Sequence, residues 1–196
     1  MTNLIRVYYV DYSDVICNPE MQKMPRKYAQ AVGKSILRLV FKDQADEIVY
    51  DSFGKPFFPG SANANFSVSY SQNLVILAVS NNGAVGVDVE YIKPRNTNNY
   101  HKHFTESEKE MINSDESWVV FYKVWTIKEA VSKAIGKGMG LDFKTINSSC
   151  QPIEVDGESW WVECRQISNY MFSIASWAQM GVEVVDVKEN IFSPNT

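Results

Sequence analysis

Two stretches decide how this chain folds: FYKVWTIKEAVSK at residues 121–133 and VGVDVE at residues 85–90. The first predicts a helix, because apolar residues recur at the 3.6-residue spacing that puts side chains on one helical face. Those apolar positions are 120, 124, 127, 131 and 134. Gly136 and Gly138 follow as stop signals. The second stretch predicts a strand, since its valines alternate with other residues and every second side chain of a strand shares a face.

The acidic residues of these two stretches are candidates for one cluster. Asp88 and Glu90 share a face of the predicted strand, and Glu129 lies one helical turn before Lys133. If the helix packs over the strand, three carboxylates converge, which is costly unless a cation neutralises them. An all-oxygen site of this kind suits Mg²⁺. The alternative is that Asp88 and Glu90 are solvated, and that Glu129 and Lys133 form an ordinary ion pair worth about 0.2–0.5 kcal/mol.

The order of the motifs resembles that of a known enzyme family. G-V-D-V-E, followed further along the chain by W-x-x-K-E-A-x-x-K, is similar to the signature of the phosphopantetheinyl transferases. Within them it resembles the single-chain type named after the surfactin-synthetase activator. Four shorter segments match in the family's order: GKP at 54–56, FSVSYS at 66–71, FTESE at 104–108 and GKG at 136–138.

The resemblance implies an α+β fold of two similar halves related by a pseudo-twofold axis. Each half is an antiparallel sheet with a packed helix, and the active site lies between the halves. The implied reaction transfers the 4′-phosphopantetheine arm of coenzyme A to a serine of an apo acyl or peptidyl carrier protein and releases adenosine 3′,5′-bisphosphate. By the same resemblance, Asp88, Glu90 and Glu129 hold Mg²⁺, and Lys133 stabilises charge on the phosphate.

Glu108 has two interpretations. Thr105 and Glu108 have the spacing of a capping box, in which the glutamate bonds back to the amide of the helix cap, and this structural role fully explains Glu108. The resemblance instead implies a catalytic role for Glu108, as the base for the attacking serine hydroxyl. Both interpretations stay open at this point.

The resemblance also assigns contacts to coenzyme A. The turn at Lys55 and Pro56 is expected to lie against the adenine. Residues 67–71, SVSYS, stand where the family usually has Asn-x-Ser-His-Ser, so Ser69 matches a family serine. Ser67 replaces the asparagine, and Tyr70 replaces a histidine that binds the 3′-phosphate. A tyrosine donates a hydrogen bond but brings no positive charge. Lys27 is a further candidate for this phosphate.

Other basic residues have expected roles as well. Lys128 is assigned a phosphate contact, with a solvent-facing lysine as the alternative. The segment 91–103 carries three basic residues and no acid in an acidic chain: Lys93, Arg95 and Lys102. This segment is either a solvated loop or a docking surface for an acidic carrier protein, which complementary charge would orient.

The strands and helices suggest a division of the chain. Residues 1–90 are expected to form the coenzyme A side and the metal strand, residues 91–103 a linker and docking loop, and residues 104–196 the second half with the phosphate helix. The apolar run at 74–80 predicts a buried strand that turns through a hairpin into 85–90. The metal strand would then lie in the middle of an antiparallel sheet.

Composition narrows the class of protein. With 196 residues, 45% of them hydrophobic, the chain is long enough for a sizeable core in one or two domains. A net charge of −4 argues against general nucleic-acid binding. No apolar run reaches the roughly 20 residues of a membrane span and the start has no cleavable apolar segment, so we expect a cytoplasmic protein. Three cysteines without a CxxC pair suggest neither a disulfide framework nor a zinc site.

Two rival functions remain. Another Mg²⁺-dependent phosphoryl transferase would use the same acidic residues on a different substrate. A non-catalytic relative would bind coenzyme A or a carrier protein without transfer, and Tyr70 gives that alternative some support. The carrier protein is not specified by the sequence, and a monomer is expected by analogy with the family.

Overall fold

The computed structural model describes residues 3–15, 25–60 and 65–193, which form a mixed α+β fold. The strands are β1 (Asn3–Asp11), β2 (Val49–Tyr50), β3 (Pro56–Phe57), β4 (Asn65–Ser71), β5 (Leu74–Ser80), β6 (Val85–Tyr91), β7 (Ile153–Val155), β8 (Glu158–Ile167), β9 (Tyr170–Ser176) and β10 (Met180–Asp186). The helices are α1 (Pro25–Phe41), α2 (Glu106–Asn113), α3 (Val119–Ile135) and α4 (Lys188–Phe192). Short 3₁₀ turns lie at Lys42–Glu47, Thr97–His103, Gly138–Gly140 and Phe143–Thr145.

Two four-stranded sheets make up the framework. The first has the order β10-β1-β5-β4, and the second has the order β6-β9-β8-β7. The second sheet is antiparallel throughout. In the first sheet, β10 runs parallel to β1, with Asn3 opposite Met180, while the other pairs are antiparallel. Strands β2 and β3 form a separate small hairpin.

The buried side chains show that the sheets are stacked between helices. One core cluster lies between the sheets and draws on β1, β5, β6 and β9, for example through Ile5, Ile76 and Val87. A second cluster packs α1 against the first sheet, and a third packs α3 against the second sheet. Strands β5 and β9 supply residues to clusters on both of their faces, which explains why their sequences are nearly continuous apolar runs.

The helix predicted at residues 121–133 is confirmed. Helix α1 begins at Pro25 and buries an apolar face that includes Ala29, Val32 and Ile36. Helix α3 contains the predicted segment and ends at Gly136, whose φ of 82° is the left-handed conformation that glycine favours at helix ends. Within the described part of the chain, no helix is both long and apolar enough to span a bilayer.

The predicted hairpin between residues 74–80 and 85–90 is wrong. Strand β6 pairs with β9 and lies at the edge of the second sheet, while β5 lies inside the first sheet. The valines of β6 belong to the core between the sheets, so residues 81–84 carry the chain from one sheet to the other. The expected division of the chain at residue 90 does not separate the two sheets. Strand β6, from the first part of the chain, belongs to the second sheet, and β10, from the last part, belongs to the first sheet.

The free edge of β6 is covered by side chains of β4. The hydroxyl oxygens of Ser67, Ser69 and Ser71 accept hydrogen bonds from backbone N–H groups of β6. The donors are Val87 at 3.1 Å, Val89 at 3.4 Å and Tyr91 at 3.0 Å. We call this set the serine ladder. Its two-residue period matches that of the amides on one edge of a strand, so three hydroxyls join the two sheets.

Gly86 allows α3 to lie directly on β6. A Cβ placed at Gly86 would come within 2.0 Å of the carbonyl oxygen of Ala130 and 2.4 Å of the backbone nitrogen of Ala134. These are backbone atoms of the helix, so no side-chain rotation relieves the overlap. Glycine at this position therefore sets the distance between the strand that carries Asp88 and the helix that carries Glu129.

We expect Gly86→Ala to lower the free energy of unfolding by about 2 kcal/mol, and Tm by roughly 4–8 °C, because overpacking forces helix and strand apart. Thermal unfolding followed by circular dichroism measures the change. Gly181→Ala in β10 is the control, since its nearest neighbour is Cδ1 of Leu4 at 3.9 Å. Equal Tm values for the two variants would show that the close helix contact does not contribute to stability.

Candidate functional site

A cleft runs over strand β4, between the serine ladder and the start of α1. It consists of three cavities that share Val68 as a common wall. The acidic cavity has about 480 Å³ and is lined by Asp88, Glu90, Glu129 and Lys133 among others. The turn cavity has about 260 Å³ and includes Lys55, Pro56, Glu129 and Lys133. The basic cavity has about 600 Å³ and includes Lys27, Lys34, Pro56 and Tyr70.

Asp88 lies at the centre of the acidic cavity. Gly86, Asp88 and Glu90 alternate with the valines of β6, so the face that receives α3 also carries the carboxylates. Oδ1 of Asp88 accepts hydrogen bonds from the Lys133 ammonium at 2.6 Å and from the Ser69 hydroxyl at 2.9 Å. Oδ2 of Asp88 is buried and has no hydrogen-bond partner. One oxygen of this buried carboxylate therefore lacks a partner among the described side chains.

Lys133 ties the helix to both neighbouring strands. Its Nζ donates to Asp88, to the Ser69 hydroxyl at 3.0 Å and to the backbone carbonyl of Val87 at 3.1 Å. An ammonium group has three donors, so all of them are used. The side chain is 31% exposed, so the charge remains accessible from the cleft.

Glu90 and Glu129 complete the acidic cavity. Burial, and then the charge of Asp88, raise the pKa of Glu90, although Ser71 donates a hydrogen bond to its Oε2 at 3.1 Å. The same two causes, in the same order, raise the pKa of Glu129 to about 7. Crowded carboxylates hold their protons more tightly because each destabilises the charged form of the other. The predicted meeting of Asp88, Glu90 and Glu129 in one place is therefore found.

The donor set fits a hard divalent cation. Its members are carboxylate oxygens, which Mg²⁺ prefers, and the unpartnered Oδ2 of Asp88 is available as a ligand. As the side chains stand, however, no three acidic, histidine or cysteine side chains in residues 3–15, 25–60 and 65–193 form a ready-made metal group. The Lys133 ammonium occupies Oδ1 of Asp88 in this arrangement.

The residues predicted to contact coenzyme A lie along the rest of the cleft. The turn at Lys55 packs against the end of α3, where the Lys55 ammonium donates to the carbonyl of Ala134 at 2.6 Å. Burial lowers the pKa of this lysine. Tyr70 is 38% exposed and lines both the acidic and the basic cavities. Lys27 is exposed on α1 in the basic cavity.

Lys128 does not reach the cleft, and both expectations for it are wrong. Its side chain is fully buried, and Nζ donates to the carboxylate of Glu108 at 2.9 Å and to the carbonyl oxygens of Phe143 and Ile146. These three partners use all three donors of the ammonium group, so none is left for a phosphate. Lys128 instead fastens α3 to α2 and to the turn that follows α3.

The structural interpretation of Glu108 is the one that the contacts support. The capping box with Thr105 is formed, with N–H of Thr105 at 2.9 Å from Oε2 of Glu108. Oε1 accepts from the amide and hydroxyl of Ser148, and Oε2 also faces Lys128. Although burial opposes it, the hydrogen bonds from Lys128 and Ser148 lower the pKa of Glu108. A fully buried carboxylate with every acceptor site in use cannot receive a proton from a substrate in the cleft.

Several residues of the acidic cavity were missed by sequence reasoning. Ser71 donates a hydrogen bond to Glu90. It lies two residues after Ser69, so the alternation of a strand places both hydroxyls on the same face, and this pattern could have identified Ser71. Arg95, expected in a docking loop, lies in the wall of the cavity and donates to the Tyr100 hydroxyl at 2.8 Å. Trp125 lines the same wall and packs in the core as well. No periodic pattern in 91–103 distinguishes Arg95 from its exposed neighbours.

Comparison with known proteins agrees with this geometry. Residues 84–173 match the model of the 4′-phosphopantetheinyl transferase superfamily. The chain is 28% identical over 155 residues to an L-aminoadipate-semialdehyde dehydrogenase-phosphopantetheinyl transferase of Xenopus laevis, which covers 65% of this chain and 50% of the relative. It is 30% identical over 117 residues to the 4′-phosphopantetheinyl transferase AcpT of Escherichia coli O157:H7. That match covers 57% of this chain and 60% of the relative.

A third relative is the 4′-phosphopantetheinyl transferase ffp of Bacillus subtilis, 36% identical over 92 residues, with 45% of this chain and 41% of the relative covered. The chain thus spans about half the length of the curated relatives it matches. The matched segment contains the three clustered carboxylates and Lys133. Residues 84–173 are thus similar in sequence to the 4′-phosphopantetheinyl transferase superfamily.

Proposed function

We propose that this protein transfers the 4′-phosphopantetheine arm of coenzyme A to a serine of an apo acyl or peptidyl carrier protein and releases adenosine 3′,5′-bisphosphate. The observation that carries the proposal is that Asp88, Glu90, Glu129 and Lys133 line one cavity within the segment that matches the superfamily. The reaction is a phosphoryl transfer, for which a protein mainly supplies positioning and neutralisation of charge.

Asp88, Glu90 and Glu129 would hold Mg²⁺, which supplies Lewis-acid stabilisation of the pyrophosphate when bound. The three donors of Lys133 are in use, but its side chain is partly exposed in the same cavity, so its positive charge would stabilise negative charge on the phosphate groups without a direct hydrogen bond. Glu108 is buried outside the cleft, so it is a structural residue in this mechanism, and the proton of the attacking serine would pass to a water molecule in the cleft. Ser69 and Ser71 orient the carboxylates of Asp88 and Glu90 through their hydroxyl protons.

The shape and charge of the cleft suit the remainder of coenzyme A. We propose that the adenine lies at the turn cavity against Lys55 and Pro56, as the resemblance implies. The basic cavity, with Lys27 and Lys34, offers positive charge for the 3′-phosphate. Tyr70 lines the boundary between the basic and acidic cavities and contributes a hydroxyl donor there.

The carrier protein would approach along the segment 91–103. Lys93 and Lys102 are exposed there and offer positive charge to an acidic carrier, which favours oriented encounter. Arg95 lines the acidic cavity, so it would contribute positive charge within the cleft instead. We further propose the single-chain surfactin-synthetase-activator type, active as a monomer with two pseudo-twofold halves, because one chain carries both four-stranded sheets, each covered by a 17-residue helix.

We expect a purified apo carrier protein to gain roughly 340 Da, one phosphopantetheinyl unit, when incubated with this protein, coenzyme A and Mg²⁺. Intact-protein mass spectrometry measures the gain, and a parallel sample with EDTA should show none, because chelation removes the cation that neutralises the carboxylates.

A carrier whose serine is replaced by alanine is the control for the site of attachment. If coenzyme A binds but no carrier type gains mass, the protein is a non-catalytic binding relative. If phosphate is released from other substrates instead, it is a different phosphoryl transferase. Either result would overturn the proposal.

Glu129→Gln should reduce the transfer rate by on the order of 100-fold or more, because it removes one of the charges that hold the cation. Its Tm should not fall, since the substitution relieves repulsion from Asp88 and Glu90. The matched control is Glu110→Gln, an exposed glutamate of α2 outside the cleft. Near-normal turnover of the Glu129 variant would exclude this residue from the metal site.

Glu108→Gln separates the structural role from the catalytic one. Breaking a buried ion pair costs about 3–5 kcal/mol of stability, so Tm should fall sharply. The transfer rate of the folded protein, measured well below Tm, should stay within about tenfold of wild type, whereas losing a general base costs about 10²–10⁴-fold. Glu106→Gln, which breaks an exposed pair with Lys109 on the same helix, should barely change Tm. A large rate loss in folded Glu108→Gln would restore the base assignment.

A further inference from the structure

The hydroxyl of Ser69 has no freedom in how it bonds. A serine hydroxyl carries one proton and two acceptor positions. The Oγ of Ser69 accepts from the backbone N–H of Val89 at 3.4 Å and from the Lys133 ammonium at 3.0 Å. Both acceptor positions are therefore in use, and the proton is donated to Oδ1 of Asp88 at 2.9 Å.

This bonding makes the two oxygens of Asp88 unequal. Oδ1 receives two donors, Ser69 and Lys133, and Oδ2 receives none although it is buried. Buried polar atoms are nearly always hydrogen-bonded, so an unpartnered oxygen on a carboxylate that lines a cavity points to a missing ligand. The direction of the hydroxyl proton decides which oxygen stays open.

We propose that Ser69 is a positioning residue that holds Asp88 with its Oδ2 open for a divalent cation. The inference rests on the proposed metal site and adds the device that orients it. The amide of Val89 fixes the hydroxyl, the hydroxyl fixes one carboxylate oxygen, and the rigid edge of β6 thereby sets the direction of the other. Hydrogen-bond partners behind metal ligands act in this way in many metal sites.

The other two members of the serine ladder provide an internal comparison. Ser71 accepts from the amide of Tyr91 and donates to Glu90, which repeats the arrangement at a second carboxylate. Ser67 accepts from the amide of Val87, and no hydrogen bond joins it to Asp88 or Glu90 in the described structure. Ser67 thus shares the joining role of the ladder without the positioning role.

The test is Mn²⁺ binding to the full chain without coenzyme A, measured by electron paramagnetic resonance of free Mn²⁺. Ser69→Ala should raise the Kd for Mn²⁺ by about 10–100-fold, the range typical when a partner behind a metal ligand is lost. Ser67→Ala should leave the Kd within about twofold, although its Tm should also fall, because it removes a bond to a β6 amide. Asp88→Asn should abolish binding and so identify the site.

Two further variants keep the test decisive if Ser69→Ala does not fold. Ser69→Cys keeps nearly the same volume with a weak donor and should show the same loss of Mn²⁺ affinity, and Ser69→Thr restores a hydroxyl and should bind as wild type does. Wild-type affinity in the Ala or Cys variant, equal losses in the Ser67 and Ser69 variants, or no Mn²⁺ binding by wild type would each overturn the inference. The carrier mass assay judges the transferase proposal separately, so a protein that binds Mn²⁺ through Ser69 without transferring would retain this inference alone.

Discussion

The structure depends on how the amides along the open edge of β6 are satisfied. A buried N–H without an acceptor costs about 1–3 kcal/mol, and β6 presents three of them toward β4. Side-chain hydroxyls accept these bonds in place of another strand. Because a hydroxyl also carries a proton, the same atoms that join the sheets bind the carboxylates of the cleft. Sheet stacking and the acidic site are therefore one hydrogen-bonded unit.

Two lysines of helix α3 form ion pairs with different roles. Lys128 is fully buried and neutralises Glu108 inside the protein, which fixes the helix against α2. Lys133 lies on the side that meets β6 and pairs with Asp88 at the cleft. Gly86 permits the close approach that lets Lys133 reach the strand. One lysine thus holds the helix in place, and the other brings positive charge to the site.

Local periodicity was enough to predict α3, β6 and the face shared by Asp88 and Glu90, because these features depend on residues close in sequence. The exchange of β6 and β10 between sheets was not predictable, since the partner of a strand is set by packing between distant segments. The same limit applies to Lys128, whose acceptors lie 15 and 18 residues further on. The hydroxyl-rich face of β4 was visible in the sequence, but the amides it would meet were not.

The negative charge of its carboxylates suits the acidic cavity to a cation, although these side chains do not form a ready-made metal site in the described structure. Three carboxylates share the cavity, and the ammonium of Lys133 already compensates Asp88. Burial, and then the charge of Asp88, raise the pKa of Glu90 and of Glu129, and the opposing charge of Lys133 does not reverse either shift. In the proposed mechanism a divalent cation would supply positive charge, and with Lys133 and Arg95 it would let the acidic cavity accept a pyrophosphate. Cation and phosphate should therefore bind cooperatively, each reducing the electrostatic cost of the other.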